Sequence, residues 1–156
     1  MKTFKKAAML IVLAIAGAIS FNCSSDSNSS ASTNFYLKCK VNGTWVEFAD
    51  PMVINSLAKS ITGNNADNGK VVTLFTPLNV ATGTFTITDE PSNVNSYAGS
   101  FSDFNEEVYT DNETGTMVIT EVNANVIKGT FSFTGDDGNG GTITVTEGSF
   151  RAENIE

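Results

Sequence analysis

The sequence predicts an all-β domain, an antiparallel β-sandwich or barrel-like sandwich of about 8–10 strands. Three observations predict it. One phrase recurs, Gly-Thr opening a short apolar run that ends in Thr: GTFTIT at 83–88, GTMVIT at 115–120, GTFSFT at 129–134 and GTITVT at 141–146. No segment beyond residue 35 carries apolar residues at the three-and-four spacing of a helix over three turns. Asn42-Gly43 sits between two alternating runs, the strongest short signal for a two-residue type I′ hairpin.

The elements follow in chain order. Lys2, Lys5 and Lys6 precede an uncharged, mostly apolar run from Ala7 to Ile19, and small polar residues follow. That is the layout of an export signal, with a run too short for a membrane-spanning helix. Cys23 lies just past it and leads into SSDSNSS, which resembles a bacterial lipoprotein signal in which the Cys becomes the lipidated first residue. Phe21 and Asn22 depart from the small residues usual before that Cys, and cleavage after Ala18 is the alternative. The reading is therefore a signal peptide at 1–22, a lipidated Cys and flexible Ser/Asn-rich tether at 23–34, and one β-domain at 35–156.

Without the signal the chain keeps six basic and seventeen acidic side chains, a net charge of −11. No basic run exists to hold phosphates or anionic headgroups, so nucleic acid is not an expected partner and the membrane is engaged through the lipid anchor. Acidity serves solubility in this reading, with cation binding as the alternative. Histidine is absent, which removes Ser-His-Asp and Cys-His nucleophiles and His-based zinc sites. No enzyme constellation is recognised and no cofactor is expected, calcium excepted. Of the two cysteines, Cys39 alternates with Leu37 and Val41 and reads as a small buried hydrophobe. A Cys23–Cys39 bridge stays open if Cys23 is not lipidated.

Within the domain the strand segments are 35–41, 44–48, 52–55, 69–76, 83–88, 96–101, 107–110, 115–121, 126–134 and 141–151, with 56–62 ambiguous. In the repeated phrases Phe85 and Ile87, Phe131 and Phe133, and Ile143 and Val145 fall on one face, with Thr on the other. The apolar face goes inward, and the leading Gly marks the turn or bulge where each strand begins. Phe150 has the wrong parity for the core unless a bulge near Gly148 returns it.

The Asn42-Gly43 turn sets Lys40 opposite Trp45, Cys39 opposite Val46 and Lys38 opposite Glu47. Leu37, Cys39, Val41, Val46 and Phe48 then share the core face. Tyr36, Lys38, Lys40, Trp45 and Glu47 share the polar one. Trp45 with Tyr36 is a candidate platform for a glycan or a surface protein; Lys40 lying over the indole is the alternative. The stretch 103–113 offers Asp103, Glu106, Glu107, Asp111 and Glu113 as candidate oxygen ligands for calcium, although EF-hand spacing is lacking. A solvated acidic loop is the plainer reading. GDDGNGG at 135–141 reads as a hairpin turn.

The signal, the VNGTWVEF hairpin and the ending KGTFSFTGDDGNGGTITVTEGSF together resemble a group of small, uncharacterised Bacteroidota lipoproteins. Gly129, Thr130, Phe131 and Phe133, then Gly148, Ser149 and Phe150, carry the likeness; Asn42, Gly43 and Trp45 match with one residue less between Gly and Trp. The resemblance implies a secreted, lipid-anchored β-domain at the outer membrane or cell surface. It carries no activity to transfer. The expected function is a non-enzymatic envelope lipoprotein binding a glycan or a protein, with a calcium-binding adhesion domain as the alternative.

Overall fold

The structure is a computed structural model that describes residues 34–89 and 94–155. The signal, Cys23 and the predicted tether up to residue 33 lie outside the described residues. Eleven strands run in order: β1 (Tyr36–Val41), β2 (Thr44–Ala49), β3 (Met52–Asn55), β4 (Lys59–Asn65), β5 (Lys70–Thr76), β6 (Gly83–Ile87), β7 (Ala98–Asp103), β8 (Val108–Tyr109), β9 (Asp111–Val122), β10 (Val126–Asp136) and β11 (Thr142–Glu153). They form two antiparallel sheets packed as a sandwich. The first has the order β2-β1-β11-β10-β9-β6, and the second β3-β4-β5-β7-β8.

The first hairpin has the register expected of its turn. Asn42 and Gly43 both take positive φ, 47° and 84°, as a type I′ turn requires. Lys40 then pairs with Trp45, Cys39 with Val46 and Lys38 with Glu47. The Asn42 side chain accepts from the Thr144 amide at 2.9 Å, which ties the turn to β11. Leu37, Cys39, Val46 and Phe48 enter the interior, and Cys39 is a free thiol whose burial pushes its pKa up to about 12.

The Thr-rich strands turn their apolar side chains inward, so Ile87, Phe131, Phe133, Ile143 and Val145 are all buried. Phe85 is only partly buried and stacks on Tyr97 at 3.8 Å between ring centroids. Where β6 ends, Ile87 pairs with Tyr97 and links the two sheets along one side. The bulge near Gly148 is present: Glu147 takes φ 50°, the pairing of β11 with both neighbours shifts there, and Phe150 reaches the core with no exposure.

Three sequence readings are corrected. The ambiguous stretch resolves into β4, which brings the count to eleven. Its interior positions are Lys59, Ile61 and Gly63. A Cβ on Gly63 would stand 2.6 Å from the Phe48 ring, so the small residue is what lets β2 and β4 face each other closely. The Gly of two phrases does not start a strand: Gly115 and Gly129 lie inside β9 and β10, and Gly129 marks a register shift in the pairing with β9. The acidic stretch is not one loop. It runs from the end of β7 through a turn at 104–107 and the two residues of β8 into β9, which begins four residues earlier than the apolar pattern suggests.

Candidate functional site

The polar face of the first hairpin is the outer face of the first sheet. Tyr36, Lys38 and Lys40 alternate along β1 and point out because Leu37, Cys39 and Val41 point in. Trp45 on β2 is 53% exposed. Lys40 holds two contacts: its Nζ lies 5.2 Å from the Trp45 ring centroid and donates to Glu147 Oε1 at 2.7 Å. The same bulge that returns Phe150 to the core lifts Glu147 to this position. Lys38 Nζ lies 5.5 Å from the Tyr36 ring. The indole is thus half exposed and flanked by the Lys40 cation.

Tyr36 and Trp45 do not form a pair. Tyr36 is opposite Ala49 and Trp45 opposite Lys40, four residues apart along the hairpin, or roughly 13 Å. Across β1, Tyr36 also faces Arg151, which in turn faces Lys128 on β10. The result is that Lys38 and Lys40 lie between Tyr36 and Trp45, Arg151 and Lys128 extend crosswise from Tyr36, and Glu47 and Glu147 are interspersed.

The five candidate calcium ligands do not converge on one point, although Asp103 and Glu106 share a turn and line one cavity. Asp103 is buried at the end of β7, where it is ion-paired with Lys70 and accepts from the amides of Asn105 at 3.0 Å and Glu106 at 3.3 Å. The Lys70 hydrogen bond, with these amides, holds its carboxyl below the usual range. Glu106 and Glu107 are exposed in the turn, Glu107 with φ 54°. Asp111 points out of β9 opposite Asp136, while Glu113 points in and is 6% exposed. Thr110 donates to Glu113 at 2.6 Å, and burial first, with Asp89 nearby second, pushes the Glu113 carboxyl above its ordinary value. Among the described residues no three acidic or thiol side chains gather as a metal-holding group.

One feature escaped sequence reading. A cleft of about 590 Å³ opens at the sandwich end where β3 turns into β4, lined by Asn55, Lys59, Leu78, Val80, Val122 and Asn154 among others. Lys59, 2% exposed, donates to the Ile155 carbonyl at 2.8 Å and to Asn154, and Asn55 donates to the same carbonyl at 2.6 Å. The sequence carries little signal for it, since Lys59 opens a strand, KSITGNN, with a single bulky apolar residue.

The geometry defines the class, a two-sheet antiparallel β-sandwich domain. The chain belongs to the family described as a domain of unknown function, DUF6252, whose model matches residues 52–152. The match runs from β3 into β11 and leaves the Tyr36–Trp45 hairpin outside it. No curated protein and no solved structure matches the chain.

Proposed function

We propose that this protein is a Bacteroidota envelope lipoprotein, anchored through Cys23 at the outer membrane or cell surface, whose sandwich is a non-enzymatic binding domain for a glycan. The observation that carries the reading is Trp45, the only indole of the chain, half exposed on a sheet face with a cation at its side. An exposed indole offers a flat apolar surface for a sugar ring, and Lys40 beside it offers a donor to the sugar's oxygens. The anchor reading is supported by the Lys-rich start, the short apolar run and the Ser/Asp stretch after Cys23.

Tryptophan emission of the full chain, titrated with envelope and host oligosaccharides, tests the glycan. A saturable spectral change, lost in Trp45→Ala with the fold retained, supports it; no response to any sugar leaves a protein partner as the occupant. Fractionation of Cys23→Ala tests the anchor. The variant leaves the membrane fraction if the lipid alone holds the protein, and stays there if the proposal is wrong.

A further inference from the structure

We infer that the outer face of the second sheet is where two copies of this chain meet. The face spans all five strands β3, β4, β5, β7 and β8, and none of its outward residues is Asp, Glu, Lys or Arg. Met52 and Ile54 lie at one edge, 57% and 45% exposed, and Tyr109 at the other, 59% exposed. Between them stand a field of Ser, Thr, Asn and Val and a half-buried Phe75; at that corner Ala98 is covered and Asp89, from the chain after β6, adjoins the face. Thr73 occupies the centre, opposite Thr62 on one side and Ser100 on the other.

Charge names the occupant. Beyond the signal the chain carries −11, so two copies repel wherever their charged surfaces approach. A two-fold axis adds a stricter demand, because residues near it meet their own copies, and any charge there would oppose itself. The second sheet's face meets that demand and the first sheet's, with Lys38, Lys40, Glu47, Glu147, Lys128 and Arg151, does not.

Area sets the strength. Five strands at the ordinary spacing and rise present a footprint of roughly 24 by 20 Å before the short edge strands are trimmed. A face-to-face dimer therefore buries on the order of 1,000 Å² in total, the low end for a specific interface. Such a pair is weak in dilute solution and is strengthened when both copies are held on one membrane, where effective concentration rises. The two Trp45 faces would then point away from each other.

The experiment is sedimentation equilibrium of the full chain in a non-ionic detergent, at several detergent ratios so that chance co-occupancy of micelles is separated from association. Wild type is expected to dimerise with concentration. Thr73→Asp and Thr73→Lys should each weaken the dimer by at least ~10-fold, since each sets like charge against like charge, and an equimolar mixture of the two should restore it. Unchanged circular dichroism and melting show that the fold is intact; Met52→Glu, at a position more than half exposed, is the second variant and should also weaken association. A chain that stays monomeric at every concentration overturns the inference, as does a dimer indifferent to all three substitutions.

Discussion

The two outer faces of the sandwich are built from the same strand physics and finished differently. On the first sheet, Thr and Ser alternate with the buried residues across β6, β9, β10 and β11, and Lys, Arg and Glu take the outward positions of β1 and β2 and the ends of the long strands. On the second sheet, hydroxyl, amide and apolar residues take every outward position. Solubility asks for charge on both, so its absence from one face is a departure from what an acidic, solvated domain would show. On the first face Lys40 holds Glu147 and the Trp45 ring and Lys38 the Tyr36 ring; on the second no outward strand residue carries a charge, and the Thr62 and Thr73 hydroxyls hold each other at 3.2 Å.

Because both faces rest on one interior, the largest effect comes from breaking that interior. Phe131 packs against Phe133 and Phe150, with centroids 6.3 Å away in each case. Phe131→Ala should cost about 3–5 kcal/mol in denaturant melts, while Thr130→Ala, its outward neighbour, should cost less than about 1 kcal/mol. Equal losses would mean that inside and outside have been exchanged on β10, and the comparison of faces would fall with them.

That inside and outside were legible at all follows from period-two alternation. Leu37, Cys39, Phe131, Ile143 and Val145 could be placed from sequence because each sits in an unbroken alternation, and the Asn-Gly turn fixed the first register to the residue. β4 was harder: KSITGNN has one bulky apolar residue, and its interior places are filled by a Lys and a Gly that only the fold makes interior. The acidic stretch misled for a related reason. Glu113 faces inward, against the pattern, so its strand looked like loop. The uncharged face was not legible, since it is assembled from one to three outward residues on each of five separated strands. The cleft at Lys59 likewise joins β3, the 77–82 connection and the chain after β11.

The next effect in size sets one buried carboxylate of each sheet against the other. Asp103 closes β7 in the second sheet with its pKa lowered, chiefly by the Lys70 hydrogen bond. Its contribution is present above the ordinary Asp value and is lost as pH falls through the depressed one. Glu113 in β9 of the first sheet has its pKa raised, chiefly by burial. Its contribution is full below the ordinary Glu value and is lost as pH rises through the elevated one. Asp103→Asn should therefore lower the melting temperature at neutral pH and flatten the loss toward acid. Glu113→Gln should raise the melting temperature at pH 7, because no charge need be buried, and give no gain near pH 4. Parallel responses from the two variants would mean that the carboxylates do not differ in the way their surroundings require.

A smaller effect sharpens the account of the first face. Lys40 both flanks Trp45 and bonds Glu147, so Lys40→Ala should shift Trp45 emission to the red and increase its quenching by acrylamide. Stability should fall by only about 0.5–1 kcal/mol, the range for cation–π and ion-pair contacts at exposed sites. Emission unchanged from wild type would show that another neighbour covers the indole, and would weaken the case for Trp45 as a sugar platform.

The smallest expected effect concerns calcium. A calcium ion takes about six to eight oxygens converging within ~2.3–2.6 Å. The segment 103–113 spends its oxygens elsewhere: Asp103 on Lys70 and two turn amides, Glu113 on Thr110, and Asp111 on the Asn112 amide at 3.1 Å. Opposite Asp111, Asp136 accepts from the Asn112 side chain at 3.1 Å, so an amide donor already lies at that acidic pair. Only Glu106 and Glu107 remain, on an exposed turn with too few ligands between them. Calcium at millimolar concentration, added to chelator-treated protein, should leave the melting temperature where it was. A rise that grows with calcium as mass action demands would mean that the turn at 104–107 rearranges to pull Asp103 from Lys70, and Asp103→Asn should then abolish the rise.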